Sequence, residues 1–138
     1  MNDVYVFDTC ALIAILSKET GYENVVKIVE KAKNKQARII MHKVNLLEVF
    51  YHVHKIYNEN YALNFLDEIK NSPIQLSNEI NDDILINAGR LKSHYKLSLA
   101  DAIGLAEAIT SNGSFVTADH HELDTLEKNE KIKFTWIR

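Results

Sequence analysis

Four carboxylates stand where an acid needs a reason. Asp8 directly follows the apolar run Val4-Tyr5-Val6-Phe7, and Asp119 follows Phe115-Val116-Thr117 in a similar manner. Glu48 lies within VNLLEVFY and Asp101 within SLADAIGLAEAI, each among apolar neighbours. A carboxylate amid so much apolar surface is costly unless it is paired or coordinated. Gathered in one pocket, such acids cannot all stay ionised without a cation, and an oxygen-only set suits hard Mg²⁺ or Mn²⁺.

Taken singly, most of these acids also have a plainer role. Asp8 fits the cap of a following helix. Asp119 with Glu122, and Ser98 with Asp101, fit capping boxes, and an acid in a first helical turn is stabilised by the helix dipole. Glu48 is the exception, because it sits inside its helix; its plainer roles are to face solvent or to pair with a lysine such as Lys55. Of the six histidines, His52 and His54 are two apart and face different directions on a helix, where a metal pair needs a spacing of four. His120-His121 reads as exposed turn. The single cysteine, Cys10, excludes an intramolecular disulfide and any cysteine-rich zinc site. There is no glycine-rich phosphate loop and no serine nucleophile elbow.

Elements that hold these acids follow from hydrophobic period. Short apolar runs at Val4 to Phe7, Ala37 to Met41, Ile74 to Leu76, Ser114 to Thr117 and Ile132 to Trp136 read as strands covered on both faces. Between them lie helical stripes: Tyr22, Val25, Val29 and Ala32; Val44, Leu47, Phe50 and Val53; Ala62, Phe65, Leu66 and Ile69; Ile80, Ile84, Ala88, Leu91 and Tyr95. The next helix starts at the N-cap Ser98, buries Leu99, Ala102, Ile103, Ala106 and Ile109, and stops at Asn112-Gly113. Alternation of strand and helix predicts an α/β sandwich with a largely parallel five-stranded sheet covered by helices. Ligands of such sheets bind beyond the carboxyl ends of the strands, where Asp8 and Asp119 fall.

The ordered set of strand-end Asp8, helical Glu48, helix-start Asp101 and strand-end Asp119 resembles the PIN-domain ribonucleases, especially the VapC toxins of bacterial and archaeal toxin–antitoxin pairs. The likeness runs through FDTCAL, NLLEV, LADAIGLAEA and FVTADHHEL and covers nearly the whole chain. It implies a PIN-like three-layer sandwich and a Mg²⁺- or Mn²⁺-dependent endoribonuclease. Asp8, Asp101 and Asp119 would be metal ligands, with Glu48 reaching the metal directly or through water. Thr117 would orient Asp119 or a water, and Ser98 would cap its helix. It also implies an RNA substrate, a homodimer and a small VapB-type antitoxin. Cys10 departs from the serine or asparagine of many relatives, His42-Lys43 brings positive charge or a solvated turn before Glu48, and no role carries over to Glu122.

The 138 residues, with 46% hydrophobic and 25% charged content, one proline and four glycines, suit one domain spanning 1–138 with no linker or internal repeat. Net charge is −3, which weakens a purely electrostatic binding role; the local groups Lys27, Lys31, Lys33, Lys35 and Arg38, and Arg90, Lys92 and Lys96, read first as solvated helix faces, and RNA would have to be held by basic residues on the rim of the acidic pocket. Met1-Asn2-Asp3 lacks a leader's basic region and Cys10 to Leu16 is too short to span a bilayer, so a cytoplasmic location without membrane contact is expected. Other readings are a housekeeping PIN nuclease, a PIN fold used only to bind RNA, and a receiver-like phosphoacceptor domain. The receiver needs an acidic pair beside a middle-strand aspartate and a lysine ending the last strand, which FTWIR does not supply. A haloacid-dehalogenase-like phosphatase needs Asp-x-Asp, and Asp8-Thr9-Cys10 lacks the second acid.

Overall fold

A computed structural model describes residues 3–138; Met1 and Asn2, part of the segment that argued against a leader, lie outside them. Five strands form one sheet: β1 (Asp3–Phe7), β2 (Ala37–His42), β3 (Ile74–Ser77), β4 (Ser114–Thr117) and β5 (Lys133–Trp136). Their order is β3-β2-β1-β4-β5 and every neighbouring pair is parallel. Parallel neighbours require crossovers, and these are α1 (Thr9–Ser17), α2 (Tyr22–Lys33), α3 (Lys43–Ile56), α4 (Glu59–Lys70), α5 (Asp82–His94), α6 (Leu99–Ser111) and α7 (His120–Asn129).

Winding explains the layers. From β1 to β2 to β3 the chain steps one way across the sheet, then jumps back past β1 to β4 and β5, and right-handed crossovers therefore put α1–α4 on one face and α5–α7 on the other. Side chains alternate accordingly. Phe7, Ile39, Met41, Ile74 and Val116 pack beneath α1–α4, while Val6 and Phe115 pack with Leu91, Leu105, Leu123 and Leu126. Phe7 and Phe115 are fully buried, each worth roughly 1.5–3 kcal/mol of transfer free energy. The reversal of winding falls between β1 and β4, the position where open α/β sheets form their ligand crevice. A receiver-like domain would have the order 2-1-3-4-5 instead.

Gly104 sets how closely α6 approaches this reversal. A Cβ there would stand 2.9 Å from Phe115 Cε1 and 3.1 Å from Asn45 Nδ2, so a side chain would push α6 off β4 and α3. Asp101 lies one turn earlier on the same helix. Gly21, at φ +89°, has its Cα against the Ile137 carbonyl, where any Cβ would collide, and so ties the start of α2 to the chain's end.

Some expected faces are displaced. In α3 the buried stripe is Leu46, Val49 and Val53, whereas Leu47 is 59% exposed. Buried Asn45 lies on the same side and rotates the helix away from the apolar stripe read from the sequence. Leu99, expected in the core, is 63% exposed because it is the first residue of α6 and precedes the turns that meet the sheet. Ile80 precedes α5 and is exposed. His42 is buried rather than solvated: Nδ1 accepts from the Val44 N–H (3.1 Å) and caps α3, while Nε2 lies 3.0 Å from the Glu79 carbonyl.

Candidate active site

At the carboxyl end of β1 the backbone stays extended through Asp8, which caps α1. Its carboxylate is 2% exposed and fully engaged: Oδ1 accepts from the Thr9 N–H at 2.7 Å and Oδ2 from the Thr117 hydroxyl at 2.8 Å. Thr117, the buried last residue of β4, does two jobs. Its Oγ1 donates to Asp8 and accepts from the Asp119 N–H at 3.2 Å, so one hydroxyl fixes both strand ends.

Glu48 reaches the same edge from α3. Its Oε1 accepts from the Thr9 hydroxyl at 2.7 Å, and that hydroxyl also lies 3.3 Å from the Asn45 carbonyl. Glu48 is half-buried and makes no ion pair with Lys55. Thr9 was not singled out from the sequence, although it stands in FDTCAL; its role depends on the crossing of α1 and α3, which no local pattern encodes.

Asp101 and Asp119 enter through helix starts. Asp101 donates its N–H to Ser98 Oγ at 3.0 Å, and Asp119 Oδ1 accepts from the Glu122 N–H at 3.3 Å. Both expected capping boxes are thus half-formed. The Asp119 N–H that Glu122 would have capped is taken by Thr117, and the Glu122 carboxylate instead joins the acids: one carboxylate oxygen each from Asp101, Asp119 and Glu122 lie within 4.8 Å of one another. Asp8 and Glu48 stand beside this trio but outside it, with oxygens held by Thr9 and Thr117. Capping and clustering coexist, because the caps aim the carboxylates.

The charge is uncompensated. Burial, then the charges of Asp8, Asp119 and Glu48, raise the Asp101 carboxyl to about 7 against a hydrogen bond from Ser98. Burial also raises Asp8 to about 6, with a smaller push from Glu48, against hydrogen bonds from Thr117, Thr9 and Cys10. Burial and the Asp8 charge push the Cys10 thiol up to about 12, so it is no nucleophile. Among the described residues none of these acids forms an ion pair with Lys, Arg or His. Carboxylate oxygens at this spacing, two of the three half-buried and all short of positive charge, fit a hard divalent cation.

The chain matches the PIN domain family model over residues 5–128. It is similar to a chain of a toxin–antitoxin complex from Klebsiella pneumoniae, at 20% identity over 97% of this chain and 98% of that one, with a TM-score of 0.69. A DNA-bound VapBC from Salmonella typhimurium aligns over 100% of both chains at 14% identity and a TM-score of 0.73. The Mycobacterium tuberculosis VapC20, a sarcin–ricin loop cleaving toxin, covers 83% of this chain and 87% of its own at 12% identity and a TM-score of 0.62. At these identities the likeness is one of fold. No curated protein matches the sequence.

Proposed function

Because the chain belongs to the PIN-domain family, we propose that it is a Mg²⁺- or Mn²⁺-dependent endoribonuclease, one domain over its 138 residues, acting as the toxin of a VapBC-type pair. The observation that carries this reading is the meeting of Asp101, Asp119 and Glu122 oxygens within 4.8 Å, beside Asp8 and Glu48, at the winding reversal of the sheet. Asp101, Asp119 and Glu122 would hold the cation, with Asp8 and Glu48 adding charge and water contacts. When bound, a divalent cation there supplies Lewis acidity toward a phosphate oxygen and acidifies water.

The protein's own groups do the rest. Thr117 and Thr9 hold the Asp8 carboxylate in one orientation, so no side-chain freedom has to be lost when substrate arrives. Glu48 has one oxygen held by Thr9 and keeps the other to accept a hydrogen bond from an attacking water. The Cys10 thiol, pushed up to about 12, is no activated nucleophile, which supports direct attack by water without a covalent cysteine intermediate.

The test is cleavage of end-labelled structured RNAs, an rRNA loop among them. Fragments are expected with Mg²⁺ or Mn²⁺ and none in EDTA, and Zn²⁺ is not expected to substitute because the ligand set is all oxygen. Cleavage that persists in EDTA, or intact RNA across the panel with either metal, rejects the reading.

Self-association and a small antitoxin partner belong to the same proposal. Apolar side chains lie open on α3, with Leu47 at 59%, Tyr51 at 56% and Ile56 at 57% exposed, and on α5, with Leu85 at 60% and Ile86 at 63%. Surface of this kind is usually covered in an assembly. No helix among the described residues is long and apolar enough to cross a membrane. Light scattering on protein purified from its native host should give a mass above that of a 15.8 kDa monomer and include a second, smaller chain. A lone monomer would remove this part of the proposal.

A further inference from the structure

Beside the acid cluster, and sharing Glu122 with it, is a cleft of about 410 Å³ lined by His94, Tyr95, Lys96, His121, Glu122 and Thr125. It lies where the segment between α5 and α6 meets the first turn of α7. We propose that this cleft holds a backbone phosphate of the RNA strand flanking the scissile one, with Lys96 as its main cation; the inference rests on the nuclease reading above.

Three observations lead there. First, the side chains of Lys96, His121 and Thr125 have no hydrogen-bond or ion-pair partner among the described residues, so a lysine charge and two further polar groups are available to a ligand. Second, the other cations of this stretch are committed. Arg90 pairs with Glu130 at 2.9 Å, and Lys92 donates to the Leu97 carbonyl at 2.7 Å. The wall itself is fixed, since the Tyr95 hydroxyl donates to Glu130 at 2.7 Å and His94 Nδ1 lies 2.8 Å from the Arg90 carbonyl. Third, the end of the other basic group is in the wrong place. Lys33, Lys35 and Arg38 flank the start of β2, at the amino ends of a parallel sheet whose acids sit at the carboxyl ends.

Charge makes such a subsite necessary. A polyanion approaching a cluster of five carboxylates in a chain of net charge −3 is repelled except where a cation faces it. Lys96 is the cation in the cleft that opens on the cluster, and a lysine serves a phosphate as a point charge without reading the base.

The experiment compares steady-state RNA cleavage in Mn²⁺ by the wild type, Lys96→Ala, Lys96→Arg and Lys133→Ala across a range of KCl. Lys133 begins β5 at the opposite end of the sheet and controls for the same loss of net charge. Lys96→Ala should raise KM on the order of threefold to tenfold with kcat within about twofold, and flatten the slope of log(kcat/KM) against log[KCl] by about 0.7, the share of one phosphate contact on a single strand. Lys96→Arg should restore most of the loss, and Lys133→Ala should match the wild type. If Lys96→Ala and Lys133→Ala behave alike, or if kcat falls while KM and the salt slope stay, the subsite is overturned and the nuclease reading stands. If Lys96→Ala cleaves normally but loses a copurifying protein, the cleft belongs to that partner and the proposal fails. A wild type that cleaves no RNA in Mn²⁺ removes the nuclease reading and the subsite together.

Discussion

Asp101→Asn is expected to lower Mn²⁺-dependent RNA cleavage by about three orders of magnitude while leaving the fold intact. Burial and three neighbouring acids converge on this one carboxyl, and its oxygen is one of the trio within 4.8 Å. Removing a charge that holds a Lewis-acidic cation forfeits several kcal/mol of transition-state stabilisation, and about 1.4 kcal/mol is tenfold in rate. The helix should not suffer, because the contact to Ser98 Oγ comes from the Asp101 backbone N–H, which asparagine keeps. Glu122→Gln supplies the comparison. Glu122 is exposed and its backbone alone makes the cap contact with Asp119, so the expected effect is about a tenfold rise in the Mn²⁺ concentration for half-maximal activity. Single-turnover rates over a Mn²⁺ series, with thermal melts alongside, measure both. Near-normal cleavage by Asp101→Asn would show that the cluster is not where the chemistry occurs.

How much of this was legible in the sequence differs between levels. The strands were, because a sheet covered on both faces writes itself as apolar runs, and the observed spans depart from those runs by about one residue. Helix faces were less so. Leu47 fits an apolar stripe as well as Leu46 does, and only the seating of Asn45 against α6 beside Gly104 decides which of them is buried. Leu99 fits the period of α6 but lies above the sheet edge. In the candidate site, Asp8, Glu48, Asp101 and Asp119 were legible as acids in apolar surroundings, and Thr117 through the family likeness of FVTADHHEL. Their connections were not. Thr9 joins Asp8 to Glu48 across 39 residues of sequence, and such a link exists only once α1 and α3 cross. Glu122 was hidden by a sound local rule: as the third residue after an N-cap aspartate it read as half of a capping box, and Thr117 had already taken the N–H that the box requires.

The second large effect is on stability. An aspartate titrates near 3.9 in an unfolded chain, whereas folding raises Asp8 to about 6 and Asp101 to about 7. Between about pH 4 and 7 the native state therefore holds protons that the unfolded state has released. Without metal, stability falls as pH rises through that window and levels off above it. With both carboxyls acting in full, the combined loss is on the order of 7 kcal/mol, or about 20 °C in melting temperature for a chain of this size. A bound cation reverses the trend, because it favours the ionised carboxylates and releases their protons. In saturating Mn²⁺ the melting temperature should rise with pH over the window where it falls in EDTA. Melts at pH 5 and pH 8 under both conditions check the two signs.

Whether the acids form one site or several separate helix caps is decided most directly by thermal melts of the wild type and Asp8→Asn at pH 8, in EDTA and in Mn²⁺ at about a hundred times its dissociation constant. Asparagine is as good an N-cap as aspartate, so the change removes charge more than it removes the cap. If Asp8 shares a pocket with Asp101 and Glu48, Asp8→Asn should be more stable than the wild type in EDTA by about 1 kcal/mol. The wild type should then gain about 2 to 3 kcal/mol from Mn²⁺, and the variant clearly less. An Asp8→Asn protein that is less stable in EDTA and gains as much from Mn²⁺ as the wild type would place Asp8 with its helix alone and contradict a shared metal site.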